Sequence, residues 1–118
     1  MRLYLDTANM QDWVQLLPLG VFYGITTNPL LAQRSGLDYA RSDWRRFLAH
    51  AKVLGAKELH LQAFGDPSTY VKWATEIYEI AHQEEIAAVI KIPLVRPTIA
   101  QVPELKSLSW ENPDDRML

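Results

Sequence analysis

The chain has 118 residues, 48% of them hydrophobic, which is enough for one domain with a core of its own. Its acids and bases are interspersed to a net charge of −2, which argues against a nucleic-acid partner and against an acidic interaction tail. The absence of cysteine excludes a disulfide framework and thiolate metal sites.

The N-terminus reads Met1-Arg2-Leu3-Tyr4-Leu5-Asp6, with an early acid and no long apolar segment of the signal-peptide kind. No stretch approaches the roughly 18 apolar residues of a membrane span. A soluble cytoplasmic protein without a membrane partner is therefore expected. Leu3 to Leu5 reads as a short buried strand. Asn9 then caps a helix containing Trp13, Leu16 and Leu17, and Val21 to Ile25 forms the second strand. Asp38 or Ser42 starts a helix through Trp44, Phe47, Leu48 and Ala51, which Gly55 stops. Glu58 to Gln62 is the third strand. Asp66-Pro67-Ser68 begins the next helix, with Pro67 at its first position, ahead of Val71, Ala74, Ile77, Tyr78 and Ala81. Ala87 to Ile92 is the fourth strand, and a last helix begins near Arg96-Pro97 and ends around Leu108. Residues 109–118 show no periodicity and read as an irregular tail after a unit spanning 1–108.

Strands that alternate with helices imply an α/β fold with a parallel sheet and right-handed crossovers. Two closures remain open at this point. A doubly wound sheet fits the length, whereas an eightfold barrel needs about 200 to 250 residues and would be only half present.

The informative polar residues fall at the C-terminal ends of these strands: Asp6, Thr26-Thr27-Asn28, Gln62 and Lys91. That rim is where open α/β sheets and barrels place ligand sites. Lys91 stands among Ala88, Val89, Ile90 and Ile92. On an edge strand it would be a gatekeeper against aggregation. If it is buried, its charged form is disfavoured and the neutral amine becomes available to attack a carbonyl carbon. Asp6 reads either as a helix cap or as a proton donor and acceptor beside that lysine. Asn28 and Gln62 are either turn and strand-end residues or neutral groups that orient hydroxyls or a water; Thr26 serves either purpose. His50 and His82 fall on helices, on solvated faces by expectation. His60 shares a face with Gln62 and reads as filler or a supporting contact. No histidine has metal-ligand spacing, and the four tryptophans read as packing. No glycine-rich loop resembles a dinucleotide or P-loop fingerprint, so no nucleotide cofactor is expected.

Three segments carry a family likeness. Leu3-Tyr4-Leu5-Asp6-Thr7-Ala8-Asn9, Gly24-Ile25-Thr26-Thr27-Asn28-Pro29 and Val89-Ile90-Lys91-Ile92-Pro93 resemble the transaldolase family. Gln62 in Leu61-Gln62-Ala63 stands where larger transaldolases have a glutamate, which is similar to the small-subunit branch that includes fructose-6-phosphate aldolase. The resemblance runs from Met1 to about Leu108. It implies a TIM-barrel (β/α)₈ fold represented by about its first four β/α units. It also implies that Lys91 forms a Schiff base with a ketose phosphate, that Asp6 is the general acid/base, that Asn28 and Thr26 bind the dihydroxyacetone unit, and that Gln62 helps hold a water. The activity implied is the transfer or cleavage of a three-carbon ketol unit without a cofactor. The chain departs from the family pattern at Val95, Arg96, Pro97 and Thr98, and at Leu30, where a small residue is usual. The family's later strands, which carry its phosphate-binding arginine, have no counterpart here.

Half a barrel leaves two open sheet edges, so a second copy or a complementing second half is expected. The alternatives are a truncated, catalytically impaired relative that acts as a metabolite-binding or assembly module, and a free-standing doubly wound module.

Overall fold

The computed structural model describes residues 1–36, 42–92 and 100–108. Strand β1 (Tyr4–Asp6) leads into helix α1 (Met10–Leu16), which tightens into a 3₁₀ turn at Leu17–Leu19 and ends on Gly20 in the left-handed region. Strand β2 (Gly24–Thr26) is followed by α2 (Pro29–Arg34) and α3 (Trp44–Val53). Strand β3 (Glu58–Gln62) passes through a 3₁₀ turn (Pro67–Thr69) into α4 (Tyr70–Glu84). Strand β4 (Ala87–Lys91) and α5 (Val102–Leu108) complete the described elements.

Side chains that satisfy orphan amides set the helix starts. Asn9 accepts from the Gln11 N–H at 2.9 Å, and Asp66 from the Ser68 N–H at 2.9 Å, both at starts expected from the sequence. Helix α3 is capped by Asp43, which accepts from the Arg46 N–H at 3.1 Å, one residue after the expected Ser42. The other expected start, Asp38, lies outside the described residues, as do Arg96-Pro97 and the tail. Helix α2 was not anticipated. The Asn28-Pro29 step, readable as a turn, is in fact a cap followed by proline at the first helical position.

Two strand boundaries also move. β1 and β2 extend to Asp6 and Thr26, because both residues pair in the ladder, whereas Leu3 and Val21 lie outside it and are 45% and 55% exposed. The two polar residues thus end their strands, as the sequence pattern placed them.

The sheet is wholly parallel, in the order β1-β2-β3-β4. This order separates the two closures. A doubly wound sheet reverses direction at a switch point, whereas here each strand adds to the same side of the last. Right-handed crossovers then place the helices on one face, as in the wall of a barrel. Strand alternation follows. Ile25, Leu59, Leu61, Ala88 and Ile90 join the core formed with Trp13, Phe47, Leu48, Ala74, Ile77 and Ala81 of the helices. The other parity carries Tyr4, Asp6, Gly24, Thr26, Glu58, His60, Gln62, Ala87, Val89 and Lys91 along the opposite face. The fold is thus α/β and corresponds to four strands of a TIM-barrel type sheet.

Three tryptophans pack among the helices. Trp13 is fully buried and donates Nε1–H to the Thr7 carbonyl at 2.9 Å. Trp44 meets Phe47 and Trp73 edge-on. Trp110 lies outside the described residues. No described helix is long and apolar enough to cross a membrane.

Gly24 lets β2 and β3 approach closely, since a Cβ there would lie 2.5 Å from the Glu58 carbonyl oxygen. Gly24→Ala should therefore force the strands apart and lower stability by about 1–3 kcal/mol. Urea unfolding midpoints would measure the loss; an unchanged midpoint would contradict it.

Candidate active site

The loop after β1 fixes the position of Asp6. The Thr7 hydroxyl donates to Asp12 at 3.0 Å and accepts from the Asn9 N–H at 3.0 Å, so the chain turns into α1 without using the Asp6 carboxylate as a cap. Asp6 instead accepts from the Thr26 hydroxyl of the next strand at 2.7 Å. This short bond occupies the only proton of Thr26, so toward a bound molecule Thr26 can act only as an acceptor.

Asp6, Thr26 and His60 pair across β1, β2 and β3, and Gln62 pairs with Lys91 one step further along β3 and β4. The sheet therefore brings Asp6, Thr26, Gln62 and Lys91 to one face at one end. Asn28 lies just beyond, as the cap of α2, with Oδ1 accepting from the Leu31 N–H at 2.9 Å. Its amide nitrogen is then the part that can donate to a ligand oxygen.

Lys91 is half-buried at the end of β4, where its backbone carbonyl accepts from the Ala63 N–H at 2.9 Å. Burial pushes the ammonium below the usual lysine value, and the Asp6 carboxylate opposes this more weakly. The amine is therefore easier to deprotonate than that of a solvated lysine, and it lies within the field of a carboxylate two strands beyond its neighbour β3.

A polar cluster that composition did not announce lies lower on the same face. Glu58 is 3% exposed; it accepts from Tyr4 Oη at 3.0 Å and Arg2 Nη1 at 3.2 Å, and it faces His60 Nε2 at 2.9 Å. The signal available in sequence was the alternation Glu58-x-His60-x-Gln62 on an otherwise apolar strand. His60 is thus a hydrogen-bonded partner of a buried carboxylate and not mere filler. His82 is exposed as expected, whereas His50 is half-buried, its ring stacked 6.2 Å from that of Trp13. Among the described residues no group of three potential ligands forms a metal site.

A cleft of about 570 Å³ opens beside the first turns of α3 and α4, lined in part by Trp44, Phe64, Tyr70 and Trp73. Its lining includes none of Asp6, Thr26, Gln62 and Lys91.

The direction of the Lys91 shift makes a prediction about stability. With the folded value below the unfolded one, the unfolded chain binds more protons between the two, so the cost of the buried ammonium is full below the folded value and fades as pH rises toward the ordinary lysine range. Lys91→Met should have a higher thermal midpoint than the parent at pH 7, with the gap narrowing by pH 10. Equal midpoints at both would show that Lys91 is not desolvated.

No protein-family model matches the chain. Curated relatives do. A protein of Dehalococcoides mccartyi named "Probable transaldolase" is 35% identical over 79% of this chain and 40% of its own length. Proteins with the same name from Lactiplantibacillus plantarum and Moorella thermoacetica are each 30% identical, over 94% and 91% of this chain and 46% of their own lengths. The chain spans a little under half the length of these relatives. Together with the half-barrel sheet, this places the chain in the transaldolase family, where it is consistent with the N-terminal half of a member.

Proposed function

We propose that Lys91 is the reactive amine of a class I aldolase or transaldolase site acting on sugar phosphates. The observation that carries this reading is the half-buried lysine on β4 whose amine is influenced by Asp6, itself held by Thr26 on the same sheet face.

In this scheme the neutral Lys91 amine adds to the C2 carbonyl of a ketose, and loss of water gives an iminium ion. Asp6 takes the proton of the C4 hydroxyl; the C3–C4 bond breaks, its electron pair is delocalised into the iminium as an enamine, and an aldehyde leaves. The three-carbon enamine then adds to another aldehyde, which is transfer, or is protonated and hydrolysed to dihydroxyacetone, which is cleavage. Thr26 accepts from a substrate hydroxyl, the Asn28 amide donates to a substrate oxygen, and Gln62 holds the water that assists proton movement. The lysine supplies the electron sink without a metal or organic cofactor. Such chemistry belongs to carbohydrate metabolism, and the pentose phosphate pathway uses reactions of this class.

Borohydride reduction with fructose 6-phosphate should leave a covalent adduct on Lys91, found by peptide mass spectrometry and lost in Lys91→Met. Asp6→Asn should still trap but should cleave about 10²–10⁴-fold more slowly. An unmodified Lys91 would overturn the reading.

The four-stranded sheet also needs four further strands to close as an eightfold barrel. We assign these to a second copy or to a complementing second half. Sedimentation of the 118-residue chain by itself should show a dimer; a well-folded monomer would contradict the second-copy arrangement. In a second reading the same rim residues bind a metabolite without reacting, and the chain acts as a metabolite-binding or assembly module. Ketose binding without trapping at Lys91 would select that reading.

A further inference from the structure

Asp6 is the last residue of a three-residue strand at the edge of the sheet, where β2 is the one neighbouring strand among the described residues, and it is exposed. A carboxylate so placed is held neither by burial nor by pairing on both sides. Strand ends fray and exposed side chains change rotamer quickly, yet a group that transfers a proton must keep its place to within a fraction of an ångström.

The next residue supplies what burial does not. Every hydrogen-bonding group of Thr7 is engaged. Its N–H donates to the Thr26 carbonyl at 3.0 Å, which carries the pairing of β1 with β2 one residue past Asp6. Its carbonyl accepts from Trp13 Nε1–H at 2.9 Å. Its hydroxyl donates to Asp12 at 3.0 Å, a direction fixed because an ionised carboxylate only accepts, and a lone pair of the same oxygen takes the Asn9 N–H at 3.0 Å. Trp13 is anchored in turn. It is fully buried, with the Phe47 ring edge-on at 4.8 Å and the His50 ring stacked at 6.2 Å between centroids. The two peptide groups flanking Thr7 are therefore tied down, one to β2 and the other through the indole to the core beneath the helices.

We propose that Thr7 and Trp13 are positioning residues for Asp6. They fix the backbone at the end of β1, so that Asp6 Oδ1 stays in line with the Thr26 hydroxyl that donates to it at 2.7 Å and Oδ2 is left to take the proton. A tryptophan that composition assigns to packing thereby acts on the site through a single N–H. This rests on the reading of Asp6 as the proton acceptor in carbon–carbon cleavage, so the test separates the two.

In protein labelled with ¹³C and ¹⁵N, the three-bond couplings of Asp6 Cγ to its own backbone nitrogen and carbonyl carbon report whether χ1 occupies one rotamer. The parent should show one rotamer, and so should Thr7→Ser, which keeps the hydroxyl. Thr7→Val lacks it, and Trp13→Phe keeps a ring beside Phe47 but lacks the N–H; both should show averaging. With fructose 6-phosphate, borohydride trapping at Lys91 should stay within about twofold of the parent in all three variants. Aldehyde release should fall about tenfold to a hundredfold in Thr7→Val and Trp13→Phe, and stay within about threefold in Thr7→Ser.

No trapping or no aldehyde release in the parent, with the couplings as described, defeats the catalytic reading and leaves the positioning of Asp6 standing. An averaged Asp6 in the parent, or a single rotamer in either Thr7→Val or Trp13→Phe, overturns the proposal. So does aldehyde release in those two variants that equals the parent's, or that falls only in step with trapping and thermal midpoint.

Discussion

Parallel pairing of four strands in their chain order governs the rest of the molecule. Because each strand adds to the same side of the one before, the crossover helices collect on one face and the apolar residues of β2, β3 and β4 turn toward them. The alternate residues face the other way as a direct result of the period of two. A row of polar groups that would be scattered in a doubly wound sheet is thereby gathered on a single surface. The same order puts the C-terminal ends of all four strands at one rim, where Asp6, Thr26, Gln62 and Lys91 meet.

Two kinds of polar burial coexist on that face, and they differ in how the charge is satisfied. Glu58 is almost wholly inaccessible but is met by a guanidinium, a phenol and an imidazole, so its carboxylate oxygens are satisfied by close hydrogen bonds. Lys91 is only half-buried, yet desolvation outweighs the attraction of Asp6 and its pKa falls. The first arrangement suits a rigid base for the site. The second leaves an amine whose protonated form is not fully compensated, which is the condition a lysine nucleophile needs. Thr26 links the two regions, since it pairs with His60 through the backbone and donates its hydroxyl to Asp6.

Similarity to proteins named as transaldolases and the half-barrel sheet describe the same relationship from different directions. The relatives are roughly twice as long as this chain, and four strands are half of an eightfold barrel. The polar face of the sheet is the surface that a closed barrel would turn inward.

The sequence by itself determined the α/β class, the third strand, most of the fourth, and the residues of the rim, because apolar runs and cap residues are local signals. It started β1 and β2 too early, at Leu3 and Val21, since ladder pairing and not local hydrophobicity decides where a short strand begins. It missed α2 because Asn28-Pro29 is compatible with a turn as well as with a helix start. Composition and periodicity left the two closures of the sheet undecided, because strand order is a property of the whole chain. Only the tertiary structure showed that order, the bond from Thr26 to Asp6, and the cluster around Glu58. Each depends on residues 20 to 56 positions apart in the chain, brought together by sheet pairing alone.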